Sequence, residues 1–333
     1  MLAFQRAVSD LPTLVEVRNV KKHYPLSWGL QTLFKKEKTV VKAVDGVSFA
    51  IHNRETLALV GESGCGKTTL GKVILGLLEP TDGRVYFMGR DISDLKKHDV
   101  RILRKMQAIF QNPYASVNPR KNVYQTLELP LSLVDKGDTE NKIGDLLRMV
   151  GLDPLQFMYK YPHELSGGEM QRVTIARAIA SRPEFIVADE PVSSLDISIR
   201  AHVINLLKRL QESLGLGCLY ITHDLALVRS FCSNVAVMYL GRLVECATVE
   251  ELYKEPLHPY TKLLISSTPI PDPRRARARK LFVVKGDTPS PIDSLLGCRF
   301  HARCPYGKSQ CEKDEPEMVN VGKSHYVACY DRS

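Results

Sequence analysis

The run Gly61-Glu62-Ser63-Gly64-Cys65-Gly66-Lys67-Thr68-Thr69 has the residue types and spacing to cradle a nucleotide's phosphates. It matches G-x-x-x-x-G-K-[ST], in which glycines let the backbone curl until successive N–H groups converge on phosphate oxygens. The helix that begins after Gly66 adds its positive N-terminal end. Lys67 would reach the β- and γ-phosphates, and the Thr68 hydroxyl would ligate Mg²⁺. Glycine-rich turns before helices also occur in proteins that bind nothing. Here the flanks favour binding: an apolar strand over Thr56 to Val60 precedes the run and an amphipathic helix follows it.

A second group of residues completes a hydrolytic site. Phe185-Ile186-Val187-Ala188 reads as a buried strand, and Asp189 and Glu190 emerge at its C-terminal end, where open α/β sheets bind ligands. Asp189 would hold Mg²⁺, directly or through a water, and Glu190 would orient and deprotonate the attacking water. A lone acidic pair after a strand is usually a loop or a helix cap; beside a phosphate loop it reads as a hydrolysis site. Gln111 follows Ala108-Ile109-Phe110 and His223 follows Leu219-Tyr220-Ile221-Thr222, so each stands just past an apolar strand, where a γ-phosphate could be sensed. The pattern of residues alone gives a P-loop ATPase that uses ATP and Mg²⁺.

The elements that must position these groups alternate. Leu14 to Val20 and Ala43 to Ile51 have strand composition, and Gly83 to Gly89 reads as a further strand bounded by glycines. The helix after the phosphate loop places Leu70, Val73, Ile74, Leu77 and Leu78 on one face. From about Pro113 to Leu165 the pattern is helical and irregular, with loops expected at Pro119, Pro130, Pro154 and Pro162. Strands resume at Phe185, at Cys218 to Ile221 and at Val235 to Tyr239. Between the first two, a helix lines up Ile199, Val203, Leu206, Leu207, Leu210 and Leu214. Alternating strands and helices predict an α/β core with a parallel sheet and a helical insertion. After Thr268 the composition shifts to Pro, Arg and Cys, which marks a linker and a small separate unit.

Leu165-Ser166-Gly167-Gly168-Glu169-Met170-Gln171-Arg172, with Ser166 lying 23 residues before Asp189, narrows the class. It resembles the signature motif of ATP-binding-cassette (ABC) proteins. A Ser-Gly-Gly segment opening a helix with Val173, Ala176 and Ile179 on its apolar face is a second anion-binding helix end. The resemblance implies that Ser166, Gly167 and Gly168 face the γ-phosphate of ATP held by an opposite subunit. Glu169 stands where the family usually has Gln. The resemblance carries Gln111 onto the loop that senses Mg²⁺ and contacts the transmembrane partner, and Ser194-Leu195-Asp196 onto the loop along the dimer interface. His223 matches the switch histidine supporting Glu190, and Tyr24 matches the aromatic residue that stacks on adenine. The fold so implied is a P-loop ABC ATPase domain with a parallel core sheet, an N-terminal antiparallel β subdomain, an inserted helical subdomain and a small Cys-rich C-terminal extension. Its boundaries would be 12–265 for the nucleotide-binding domain, about 113–168 for the helical subdomain and 266–333 for the extension.

Bulk composition fits this reading. The 333 residues are 44% hydrophobic and 25% charged, the balance of an ordinary globular chain. No stretch approaches the roughly 20 apolar residues needed to span a bilayer, and the N-terminal residues lack a signal-peptide pattern. A net charge of +9 is compatible with nucleic acid, anionic headgroups or a nucleotide, but reads first as basic residues spread over a solvated surface. The run Arg274 to Lys280 follows Pro269, Pro271 and Pro273 and reads as a linker. Of the eight cysteines, Cys298, Cys304, Cys311 and Cys329 crowd the C-terminal end. In a reducing compartment, clustered thiols are metal ligands sooner than disulfides. Their spacing is neither that of a zinc ribbon nor of a ferredoxin, and softness alone leaves zinc and iron–sulfur both open.

Over almost the whole chain the sequence resembles the ATPase subunits of dipeptide and oligopeptide importers, and more closely the second, dipeptide-type partner. Phe110-Gln111-Asn112-Pro113, Asn118-Pro119-Arg120, Leu257-His258-Pro259-Tyr260-Thr261, Pro289-Ser290-Pro291 and the cysteine-rich end carry the likeness. The resemblance implies a [4Fe–4S] cluster on the four cysteines; the role read for it is structural, because four thiolates around a cluster staple a segment too small for its own core. It also implies a second, homologous ATPase chain, two permease subunits, an extracytoplasmic substrate-binding protein, and a peripheral place on the cytoplasmic face of the cell (inner) membrane, with no nucleic-acid partner. An importer ATPase for glutathione, a metal chelate or an oligosaccharide is the alternative. A non-transport ABC ATPase is disfavoured, because translation-type relatives usually carry two cassettes per chain and this one has a single phosphate loop and signature.

Overall fold

The computed structural model describes residues 12–25, 40–134, 137–269, 282–284, 286, 296–322 and 324–331. The basic run at 274–280 and the Pro289-Ser290-Pro291 segment lie outside the described residues.

In chain order the strands are β1 (Thr13–Pro25), β2 (Val40–His52), β3 (Thr56–Val60), β4 (Asp82–Phe87), β5 (Arg90–Asp91), β6 (Met106–Ile109), β7 (Phe185–Asp189), β8 (Gly217–Thr222), β9 (Asn234–Tyr239), β10 (Arg242–Thr248), β11 (Val319–Gly322) and β12 (His325–Val327). The principal helices are α1 (Lys67–Ile74), α2 (Val123–Ser132), α3 (Thr139–Met149), α4 (Gly167–Ala180), α5 (Ile197–Leu214), α6 (Leu225–Phe231), α7 (Val249–Lys254) and α8 (Pro259–Ser267).

The chain divides into two compact units. The first comprises 1–52, 56–92 and 222–333, and the second 53–55 and 93–221. In the first, β1 pairs antiparallel with both β2 and β4, and β4 with β5, giving the antiparallel N-terminal layer. Beside it, β3 runs parallel to β9, β10 returns antiparallel, and β12 then β11 continue the sheet from β10. All five residues of β3 and all six of β9 are buried, as strands covered on both faces require. The C-terminal extension joins this core: Phe300, 1% exposed, packs with Val60, Val237, Tyr239, Val244 and Tyr260. Burying one such aromatic contributes about 1.5–3 kcal/mol.

In the second unit β6, β7 and β8 are parallel neighbours. Helix α4 is buried over most of its length, and Val173, Ala176 and Ile179 form its expected apolar face. Three expectations are corrected. Helix α1 stops at Ile74, because Gly76 turns the chain at φ 66°, and this leaves Leu77 63% exposed instead of on the helix's apolar face. Pro130 lies inside α2, and Pro154 and Pro162 open the short helices Pro154–Phe157 and Pro162–Glu164; none of the three is in a loop. Near the C-terminal end of α2, Pro130 removes a single helical N–H, while Val123, Leu127 and Leu131 are buried and an Asn122–Gln125 capping box fixes the start. On α5, Leu214 is 43% exposed and Ile204 replaces it in the core.

Candidate active site

The phosphate loop follows directly from β3. Gly64 and Gly66 adopt φ 80° and 109°, and a Cβ on Gly66 would stand 1.9 Å from the Ala43 carbonyl oxygen, so only glycine fits there. Lys67, 5% exposed, donates from Nζ to the carbonyls of Gly61 (2.8 Å) and Glu62 (2.9 Å), which aims the ammonium along the loop. From behind, Gly241 N–H donates to the Cys65 carbonyl at 2.9 Å. Burial raises the Cys65 thiol pKa against the opposing pull of Lys67, so this cysteine packs as a neutral side chain. Ser63, Gly64 and Thr68 are exposed at the mouth, and Thr69 is half-buried. Tyr24, 38% exposed at the end of β1, pairs with Val41 on β2. Val41 is two strand residues, about 7 Å, from the Ala43 that touches Gly66. His223 is exposed between β8 and Asp224, the cap of α6.

In the second unit, Ile109 of β6 pairs with Ala188 of β7, and this register sets Gln111 and Glu190 at neighbouring strand ends. Gln111 Nε2 donates to Glu190 Oε2 at 3.1 Å. Glu190 has φ 46°, a left-handed conformation that costs a non-glycine residue of order 1 kcal/mol and turns its carboxylate out of the strand direction. Its N–H donates to the Ile221 carbonyl (2.9 Å), and its own carbonyl accepts from Ser193 Oγ (3.0 Å). Asp189, 7% exposed, ends β7.

Ser166 caps α4 through a capping box: its N–H and Oγ both donate to Glu169 Oε2 at 2.8 Å, and Glu169 N–H returns to Ser166 Oγ at 3.4 Å. The backbone bond from Ser166, then the Ser166 hydroxyl, hold the Glu169 carboxyl below its usual range. Glu at this position is thus a working N-terminal cap. A Cβ on Gly168 would meet Ile199 Cγ2 of α5 at 2.7 Å, and one on Gly167 would touch Leu195 at 3.4 Å. The signature segment and the Ser194-Leu195-Asp196 loop therefore pack together, with Asp196 exposed at the start of α5.

In the extension, Cys298, Cys304, Cys311 and Cys329 line one narrow cleft, together with His258, Phe300 and His301. Burial pushes the Cys298 thiol up to about 12 and the Cys329 thiol up to about 11. Thiolates so desolvated need a cation to ionise. Among the described residues no three His, Cys, Asp or Glu side chains are placed to hold a single metal ion. The cleft encloses about 10 Å³, room for one water, so the thiols must spread to admit anything larger.

Comparison with known proteins decides the family. Residues 44–193 match the ABC transporter family, and residues 244–311 match the C-terminal region of oligopeptide/dipeptide transporters. The chain is 46% identical to the oligopeptide transport ATP-binding protein AppF of Bacillus subtilis, covering 96% of this chain and 97% of that one. It is 42% identical to the dipeptide transport ATP-binding protein DppF of Escherichia coli, over 99% and 97%. The chain belongs to the ABC family of oligopeptide and dipeptide transport ATP-binding proteins. The dimeric ATP-binding cassette MJ0796, solved bound to ADP and phosphate after hydrolysis, superposes with a TM-score of 0.61 at 29% identity, covering 71% of this chain and 99% of that one.

An ABC ATPase of this kind is an ATP-driven motor, and the fold agrees. Among the described residues no helix is long and apolar enough to cross a membrane. The phosphate loop, Tyr24 and His223 belong to one compact unit, and Gln111, Asp189, Glu190, the signature and Asp196 to the other. Sequence reasoning missed Glu245 and Arg303, and met Tyr260 only as part of the Leu257–Thr261 run with no role of its own. Glu245, fully buried, accepts from the N–H groups of Leu257 and His258 at 2.9 Å each and lies 2.7 Å from His325 Nε2. Burial lowers His258 to about 4, so its neutral Nδ1 accepts from Tyr260 N–H at 3.0 Å and caps α8. The Leu257-His258-Pro259-Tyr260-Thr261 run is therefore a structural joint. A buried carboxylate within an otherwise apolar strand, Leu243 to Ala247, was the available signal for it.

Proposed function

We propose that this chain is one of the paired ATPases of a dipeptide or oligopeptide importer, with a cassette over 12–265 and an extension over 266–333, working at the cytoplasmic face of the inner membrane. Its partners would be a second, homologous ATPase, two permeases and an extracytoplasmic substrate-binding protein. The match of residues 244–311 to the C-terminal region of oligopeptide/dipeptide transporters, alongside whole-length relatives named for peptides, carries this reading.

In the cycle so inferred, Tyr24 stacks on adenine, and the loop from Gly61 to Thr69 binds the phosphates through its later amides and Lys67. Thr68 and Asp189 are the residues that would hold Mg²⁺ through hard oxygen ligands, and the ion would supply neutralisation of the phosphate charge. Ser166, Gly167 and Gly168 close over the γ-phosphate of ATP held by the partner ATPase, with Asp196 along the interface. Glu190 takes the proton of the attacking water, Gln111 orients its carboxylate, and His223 contacts the γ-phosphate. The protein's part is positioning and charge stabilisation. The 3.1 Å contact of Gln111 with Glu190 supports the pairing of sensor and base.

Cys298, Cys304, Cys311 and Cys329 are the residues that would hold a [4Fe–4S] cluster, as an all-thiolate ligand set. Reconstitution with the permeases and binding protein tests the transport reading: ATP turnover should rise on adding dipeptides or longer peptides. Stimulation by an oligosaccharide or metal chelate and not by peptides would overturn it. Iron, sulfide and zinc content of anaerobically purified protein tests the cluster; stoichiometric zinc, or no metal, would sink it.

A further inference from the structure

Glu62, the second residue of the phosphate loop, is held from the C-terminal side of the chain. Its backbone N–H donates to the Tyr260 hydroxyl at 2.7 Å. Its carboxylate receives Arg303 Nη1 at 3.2 Å on both oxygens. Tyr260 is fully buried, the Arg303 side chain is 9% exposed and that of Glu62 30%, so this ion pair is shielded from solvent far more than an ordinary surface pair.

The geometry bears on Lys67. In a planar trans peptide the C=O and N–H point in opposite directions. The peptide joining Gly61 to Glu62 therefore has two ends: its carbonyl accepts from Lys67 Nζ at 2.8 Å, and its N–H reaches Tyr260. The next carbonyl, that of Glu62, accepts from the same ammonium at 2.9 Å. A tilt of this peptide would move the Lys67 ammonium with it. Because Tyr260 occupies the Glu62 N–H, that donor is turned away from the phosphates, leaving the later amides of the loop to face them.

Arg303 belongs to the extension, one residue before Cys304, in the short turn His301–Arg303. Its guanidinium lies 5.6 Å from the Phe300 ring centre. Phe300 in turn meets Tyr239 edge-on at 5.3 Å and Tyr260 at 5.6 Å. The turn is tied to Cys298, whose carbonyl accepts from His301 N–H at 3.0 Å, and whose N–H donates to the Cys311 carbonyl at 2.7 Å. One continuous set of contacts thus runs from the cysteine segment through Arg303 and Tyr260 to the peptide that holds Lys67.

We propose that Arg303 and Tyr260 are positioning residues for the phosphate loop, so that the cysteine-bearing extension sets how firmly the loop binds nucleotide. This rests on the ABC ATPase assignment. It makes the arrangement of the extension a determinant of ATP affinity, with the hydrolytic step left to other residues.

The test is equilibrium binding of ATP to the full chain, with kcat and KM measured separately on the assembled transporter. Tyr260→Phe removes one oxygen and keeps the buried ring; it should weaken ATP binding roughly 3- to 10-fold, raising KM with kcat retained. Arg303→Met should weaken it about 10-fold, and Arg303→Lys should recover most of the loss. In a Glu62→Gln background the Arg303→Met effect should largely vanish, as coupled partners require. Unchanged ATP affinity in folded Tyr260→Phe and Arg303→Met proteins, or effects of Arg303→Met and Glu62→Gln that simply add, would overturn the proposal. Should the Arg303 variants fail to fold, Tyr260→Phe alone decides. Absence of ATP binding by the wild-type chain would instead overturn the ATPase assignment, a distinct outcome.

Discussion

Replacing Glu245 by Gln, an isosteric change, should be costly, and the structure says by how much. The carboxylate is fully buried where β10, the start of α8 and β12 meet. Oε2 accepts from His258 N–H, and Oε1 accepts from Leu257 N–H while facing His325 Nε2. A glutamine amide has one acceptor oxygen, so in either orientation its NH₂ confronts a backbone N–H. One buried donor left unsatisfied costs about 1–3 kcal/mol. Exchanging a charged acceptor for a neutral one weakens the surviving bonds by roughly a further 1 kcal/mol. The joint should lose about 2–4 kcal/mol. Hydrogen exchange by mass spectrometry reads this locally: amides of the 245–260 segment should exchange about 30- to 700-fold faster, while those of α4 in the other unit keep their wild-type rates. Wild-type exchange across 245–260 in the Gln variant would refute the reasoning, because it would require an acceptor facing the new amide.

Two further outcomes follow from the second unit. Gly168→Ala would drive a Cβ to 2.7 Å from Ile199 Cγ2, an overpacking penalty of about 1–3 kcal/mol; Ile199→Ala added to it should restore thermal stability, and failure of that rescue would place the strain elsewhere. Glu190→Gln should lower steady-state ATP hydrolysis at least about 100-fold while ATP still drives subunit closure, seen as ATP-dependent dimers by light scattering; wild-type turnover would remove Glu190 from the role of base.

The chemistry-bearing loops were legible in the sequence because each needs fixed residue types: glycines where φ is positive, a hydroxyl after the lysine, carboxylates after an apolar strand. Val173, Ala176 and Ile179 were legible for the same reason, being at helical spacing on a buried face. Pro130 misled because proline is disfavoured in helix interiors, yet three buried residues and a capping box outweigh one lost hydrogen bond. Leu77 misled because periodicity does not register the Gly76 turn that ends α1. The joint around Glu245 and the contact of Arg303 with Glu62 join residues 241 positions apart in the latter case, and neither partner has a local pattern that names the other.

Strand β10 has neighbours on both sides, β9 within the cassette and β12 from the extension. Its five central residues, Leu243 to Ala247, are buried. Without β12 it would become an edge, a mostly apolar row with unpaired N–H and C=O groups open to strands of other chains. A chain cut after Thr268 would carry every ATP-binding motif and still tend to aggregate through that edge. The extension therefore serves colloidal stability as well, by ending the sheet in β11, most of whose residues are exposed and which includes Asn320 and Gly322.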